Sequence, residues 1–161
     1  MSKNCHNFSL EYTLFVYIMN DYTLLVEVKT KRIHSRIYAD VLPFLCHRKL
    51  GFYERFLVRI TNMTPEPKSF DIRWGGSLIH QSILIPPLSS RKIYPFPEDR
   101  SHAFVICPIE EWGDGVGSSG NPAFEILDTG KDKSFKILFI HDDTKDQPMP
   151  QNFVSSKTME L

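Results

Sequence analysis

Residues 52–62 read Phe-Tyr-Glu-Arg-Phe-Leu-Val-Arg-Ile-Thr-Asn, and residues 69–74 read Ser-Phe-Asp-Ile-Arg-Trp. Phe56, Val58 and Ile60 alternate with Arg55, Leu57 and Arg59, and Phe70, Ile72 and Trp74 alternate with Ser69, Asp71 and Arg73. A period of two marks a strand with one buried face, because successive side chains leave the pleated backbone on opposite sides. Between the two segments, Asn62-Met63-Thr64-Pro65-Glu66-Pro67 interrupts any helix or central strand, since proline removes a backbone donor and fixes φ. The two segments are therefore expected as an antiparallel pair with a half-buried face.

The same pattern extends outward. Gly75-Gly76 is a turn, Leu78 to Ile85 is an apolar run closed by Pro86-Pro87, and Lys92 to Phe96 is a short strand that Pro95 places at an edge. Ala103 to Cys107 reads as a core strand, and Phe124 to Leu127 and Phe135 to Ile140 as the last two, joined by Asp128–Asp132. Upstream, Leu10 to Met19 and Tyr22 to Val28 read as a hairpin meeting at Asn20-Asp21, although Leu10, Leu14 and Ile18 also fall four apart, as on a helix face. Short strands with a turn about every eight to twelve residues predict an all-β sandwich, with an extra N-terminal hairpin. The 161 residues suffice for one such domain, expected over 1–145, with the polar segment 146–161, which carries Pro148 and Pro150, as a flexible tail.

The succession Val58-Arg59-Ile60-Thr61-Asn62, a proline-rich turn, Phe70-Asp71-Ile72-Arg73-Trp74 and then Leu84-Ile85-Pro86-Pro87-Leu88-Ser89 resembles immunoglobulin-like domains of the fibronectin type III or cell-adhesion kind. The resemblance covers about residues 52–107 and implies an antiparallel sandwich. The Cys…Trp…Cys core of antibody domains is missing, because no cysteine pair brackets Trp74.

Nineteen Lys/Arg balance nineteen Asp/Glu, which disfavours a general nucleic-acid binder. Residues 1–60 nevertheless carry nine basic and five acidic groups. Lys29, Lys31, Arg32, His34, Arg36, Arg48 and Lys49 supply most of the former. With Val26 to Ile37 as one strand, Lys29 and Lys31 share one face and Arg32, His34 and Arg36 the other, so the patch is split; edge protection is the simpler role for these charges. Cys5, Cys46 and Cys107 are too few for a disulfide framework and point to a reducing, cytoplasmic setting. Phe8 to Val28 is apolar over nearly a membrane span, but Glu11, Asn20 and Asp21 interrupt it and no signal-peptide cleavage site follows, so no membrane partner is expected; a signal anchor or secretion is the alternative.

Motifs for chemistry fail on context. Gly115-Val116-Gly117-Ser118-Ser119-Gly120 fits a dinucleotide fingerprint, but Asn121-Pro122 and a strand follow where a phosphate-binding helix should begin. Ser119 lacks the closing glycine of a nucleophile elbow. Cys5-His6 and Cys46-His47 are adjacent pairs whose side chains diverge on a strand, so a metal would require His80, His102 and His141 to converge through the fold. Asp142, Asp143 and Asp146, with Asp114 and Asp128, have calcium-like chemistry without calcium-loop spacing. Asn7-Phe8-Ser9 and Asn62-Met63-Thr64 fit the glycosylation pattern.

The sequence thus predicts a non-enzymatic module that binds another protein, with no cofactor and no metal. The alternative is a carbohydrate or small-ligand binder that uses Trp112 as a stacking platform beside Glu110, Glu111 and Asp114.

Overall fold

The computed structural model describes residues 22–97, 99–108 and 122–149, and the backbone of 158–160. The described strands are β1 (Leu24–Lys29), β2 (His34–Ala39), β3 (Phe44–Leu50), β4 (Leu57–Asn62), β5 (Lys68–Trp74), β6 (Ser77–Ile85), β7 (Ser90–Ile93), β8 (His102–Phe104), β9 (Ala123–Asp128), β10 (Lys133–His141) and β11 (Thr158–Glu160). A four-stranded sheet runs β2-β1-β4-β7 and a five-stranded sheet runs β3-β10-β9-β5-β6, while β11 and β8 form a small third pair. β3 and β10 are parallel, and the other ladders are antiparallel. The protein is an all-β sandwich of two packed sheets.

The alternation that predicts the core is borne out side chain by side chain. Phe56, Val58 and Ile60 are buried, as are Phe70, Ile72 and Trp74, whereas Arg55, Arg59 and Arg73 are exposed. Phe124, Ile126, Phe135, Ile137 and Phe139 complete the inner face of the five-stranded sheet. Trp74 sits among Phe56, Phe104 and Phe139, meeting each edge-on with centroids 5.6–5.8 Å apart. At Gly75-Gly76 both residues have positive φ, 56° and 84°, which a tight two-residue hairpin between β5 and β6 requires.

The expected pairing of the two diagnostic segments is corrected. β4 lies in one sheet and β5 in the other, so they face each other across the core instead of sharing a ladder. Asn62 shows why the connection crosses between sheets. It is fully buried; its amide nitrogen donates to Glu66 O (2.7 Å) and Ile85 O (3.0 Å), and its oxygen accepts from Thr64 N (3.0 Å). One side chain thus pins the proline-rich turn to the corner before Pro86. The same burial closes Asn62 to glycosylation in the folded domain.

Residues 26–37 are likewise a hairpin instead of one strand. Thr30 N donates to Ile33 O at 2.8 Å, and the Thr30 hydroxyl oxygen accepts from the Arg32 and Ile33 amides. β1 is paired along its whole length with β2 on one side and β4 on the other, so its hairpin partner is the downstream strand. Leu10–Met19 lies outside the described residues.

After β10 the chain turns through a short 3-10 segment, Asp143–Lys145, and docks on residues 50–52. Asp142 N donates to Leu50 O, and Gln147 N donates to Phe52 O. Asp146 Oδ1 accepts from Phe52 N (2.8 Å) and pairs with His141 Nε2 (2.7 Å), while the Phe52 ring stacks on the His141 ring. A Cβ at Gly51 would lie 2.0 Å from Lys145 O, so only glycine fits under this turn. Further on, Thr158–Glu160, within the segment expected as a tail, pairs with β8.

Candidate functional site

The most chemically organised place among the described residues is the outer face of the four-stranded sheet. In β1, Leu24, Val26 and Val28 point to the core, so Leu25, Glu27 and Lys29 point outward. Register then sets the neighbours. Glu27 stands opposite Arg36 of β2 and Arg59 of β4, and Arg59 stands opposite Lys92 of β7. The hairpin also brings Lys29 opposite His34, on the same face. Of the basic stretch, Lys29, His34 and Arg36 are thus gathered on one face, because a turn reverses the chain where a continuous strand would have alternated it, while Arg48 and Lys49 belong to the other sheet.

Glu27 is only 6% exposed. Its carboxylate accepts from Arg59 Nε (3.0 Å) and Nη2 (3.1 Å), a two-pronged pairing, and pairs with His34 Nε2 at 2.6 Å and more loosely with Arg36 Nε at 3.6 Å. Arg59 and Arg36 remain 44% and 61% exposed along their side chains. The result is a carboxylate floor ringed by cations that still face solvent. Beside it lies a shallow depression of roughly 180 Å³, whose lining includes Glu27, His34, Arg59, Lys92 and Tyr94. Farther along the face, Tyr22 and Tyr38 pack ring on ring at 5.1 Å over Leu25 and Met63.

Burial alone would raise the Glu27 pKa, but the hydrogen bonds and charge of Arg59, then those of His34, outweigh it and hold the carboxyl below its ordinary 4.5. A depressed acid stabilises the fold above its unfolded-state pKa and loses that contribution as pH falls through the lower folded-state value. Calorimetry across acidic pH should therefore show the Tm gap between wild type and Glu27→Gln shrinking below 4.5. A gap that stays constant through that range would remove the ionised carboxylate from the stability of this face.

Other sequence candidates fall elsewhere. Trp112, Glu110, Glu111 and Asp114, like the glycine-rich stretch 115–120 and Ser119, lie outside the described residues. His80, His102 and His141 do not converge: they bond Tyr94 O, Asp99 and Asp146 respectively. Among the described residues no three His, Cys, Asp or Glu side chains gather as a metal-ligand set. No disulfide forms among them; Cys46 is half-buried on β3 and Cys107 is buried in the core. None of their helices is long and apolar enough to cross a membrane. Arg48 and Lys49 lie on β3, the edge of the other sheet, next to a second cleft shared with Val28, Ile33 and Glu54.

Sequence reasoning missed Glu27. The available signal was a lone acid inside the apolar run Leu24-Leu25-Val26-Glu27-Val28, which demands a buried partner. The partner, Arg59, is 32 residues away and is fixed only by the β1–β4 register. Compared with protein-family models, curated proteins and solved structures, the chain matches none.

Proposed function

We propose that the chain is a non-enzymatic interaction module of the immunoglobulin-like sandwich class, which docks an acidic protein partner on the outer face of its four-stranded sheet. The observation that carries this reading is the row Arg36–Glu27–Arg59–Lys92 across β2, β1, β4 and β7, with Lys29 and His34 beside it. The immunoglobulin-like assignment is supported by two packed sheets, antiparallel except for one parallel edge strand, and by the Asn62 pin joining the residues that carry the resemblance. A cationic rim attracts acidic groups and speeds their encounter. The carboxylate at its centre repels a uniform polyphosphate but accommodates a protein surface of mixed sign, so the observations favour protein over nucleic acid.

A fluorescein-labelled peptide of glutamates is the probe, with an equally charged single-stranded oligonucleotide beside it. The peptide should bind with an affinity that falls as salt rises through physiological strength, where charges are screened beyond about 8 Å. Arg36→Gln and Lys92→Gln, at the exposed ends of the row, should each weaken it by roughly fivefold to tenfold, about 1 kcal/mol. Unchanged affinity in both variants, or preference for the oligonucleotide, overturns the reading.

A further inference from the structure

β8 belongs to neither large sheet, yet its backbone is used on both sides. Phe104 exchanges both hydrogen bonds with Phe56, at 2.9 and 3.1 Å, and Ile106 O accepts from Tyr53 N at 2.9 Å. Along an extended backbone, alternate residues turn their N–H and C=O groups to the same side. His102, Phe104 and Ile106 therefore address the segment 53–56, and Ala103 addresses the opposite side. There β11 runs antiparallel, with Met159 facing Ala103, Thr158 facing Phe104 and Glu160 facing His102. Among the described residues, the cover on this edge is Thr158–Glu160, held through three residue pairs. So short a pairing is marginal by itself and holds because it is intramolecular. Under it, His102, Ala103 and Phe104 are all buried.

We propose that the outer edge of β8 is an acceptor for an extended peptide strand, and that residues 158–160 occupy it as a displaceable competitor within the same chain. The ligand class is a short extended segment whose backbone N–H and C=O meet those of Ala103, the mode in which a peptide adds a strand to a sheet. The chain's own C-terminal strand then acts as an autoinhibitor. The β8 edge shares no residue with the charged face of the four-stranded sheet.

The test uses the full chain with Met159→Pro, which removes the N–H opposite Ala103 and leaves the two large sheets untouched. The probe is a labelled synthetic peptide of residues 155–161, Ser-Ser-Lys-Thr-Met-Glu-Leu. Freed of its internal competitor, the M159P chain should bind the peptide at least about tenfold more tightly than wild type. The Ala103 amide should exchange with solvent slowly in wild type, quickly in M159P, and slowly again when the peptide is added. Equal affinity for the two chains, binding to neither, or an Ala103 amide equally protected in both overturns the proposal.

Discussion

Val58→Asp is expected to unfold the domain at ordinary temperature. Val58 is 1% exposed and is paired with Val28 on one side and Ile93 on the other, in the middle of the four-stranded sheet. A carboxylate there finds no buried Lys or Arg among the described residues, and such a burial costs about 4–5 kcal/mol or more, against a total stability of roughly 5–15. Arg55→Asp, three residues earlier and exposed, should cost about 0.5 kcal/mol or less. Arg59→Asp falls between. Alternation alone makes Arg59 a solvent-facing neutral site, but it is the main counter-charge of a buried carboxylate. Losing a buried pair's partner costs about 3–5 kcal/mol; with Arg59 44% exposed and His34 still in place, roughly 1–3 is expected. Urea unfolding of the three variants gives the order directly. Equal losses for Val58→Asp and Arg55→Asp would mean that the strand's inner and outer faces are misassigned.

Trp74→Ala carries the second large effect. The indole joins its own sheet to the Phe56–Phe104 bridge beside it, touching Phe56 and Phe104 on one side and Phe124 and Phe139 on the other. Its removal leaves a cavity that four aromatic rings cannot close by small shifts, because each is held by a strand of fixed register. Large-to-alanine changes of this kind cost about 3–5 kcal/mol. Arg73→Ala, its exposed neighbour, is expected to stay within about 0.5 kcal/mol. The check is thermal unfolding by near-ultraviolet circular dichroism, where wild type should show the asymmetric environment of this tryptophan. A Trp74→Ala variant that melts like wild type would show that the ring cluster is not the centre of the core.

These two residues also mark how far the sequence was legible. Which side chains of residues 56–60 and 70–74 face inward follows from period two alone, and the structure agrees at every one. Which sheet each strand joins does not follow, because the turn at residues 63–67 is as compatible with a hairpin as with a crossing. That choice rests on Asn62 meeting Ile85, a contact between residues far apart in sequence. β2 and β3 were illegible for a related reason. As outermost strands they keep charged or polar residues on both flanks, as in Phe44-Leu45-Cys46-His47-Arg48-Lys49-Leu50, and so lack a clean apolar face. Glu27 was illegible because its meaning lies in its neighbours on two other strands.

The parallel pairing of β3 with β10 has a consequence in time. Phe44 finds Phe135, and Leu50 finds His141, only when nearly the whole domain exists. At ribosomal speeds of about 5–20 residues per second, β3 waits on the order of ten seconds before its partner emerges. Closing so long a loop also places this contact among the late events of folding. Throughout that interval β3 is an open edge, able to recruit another nascent chain. His47, Arg48 and Lys49 give that open strand a run of positive and titratable groups, and two identical edges repel each other. Their service begins before the native state forms, and replacing them would show first in aggregation during synthesis, with the melting temperature of the finished protein little changed.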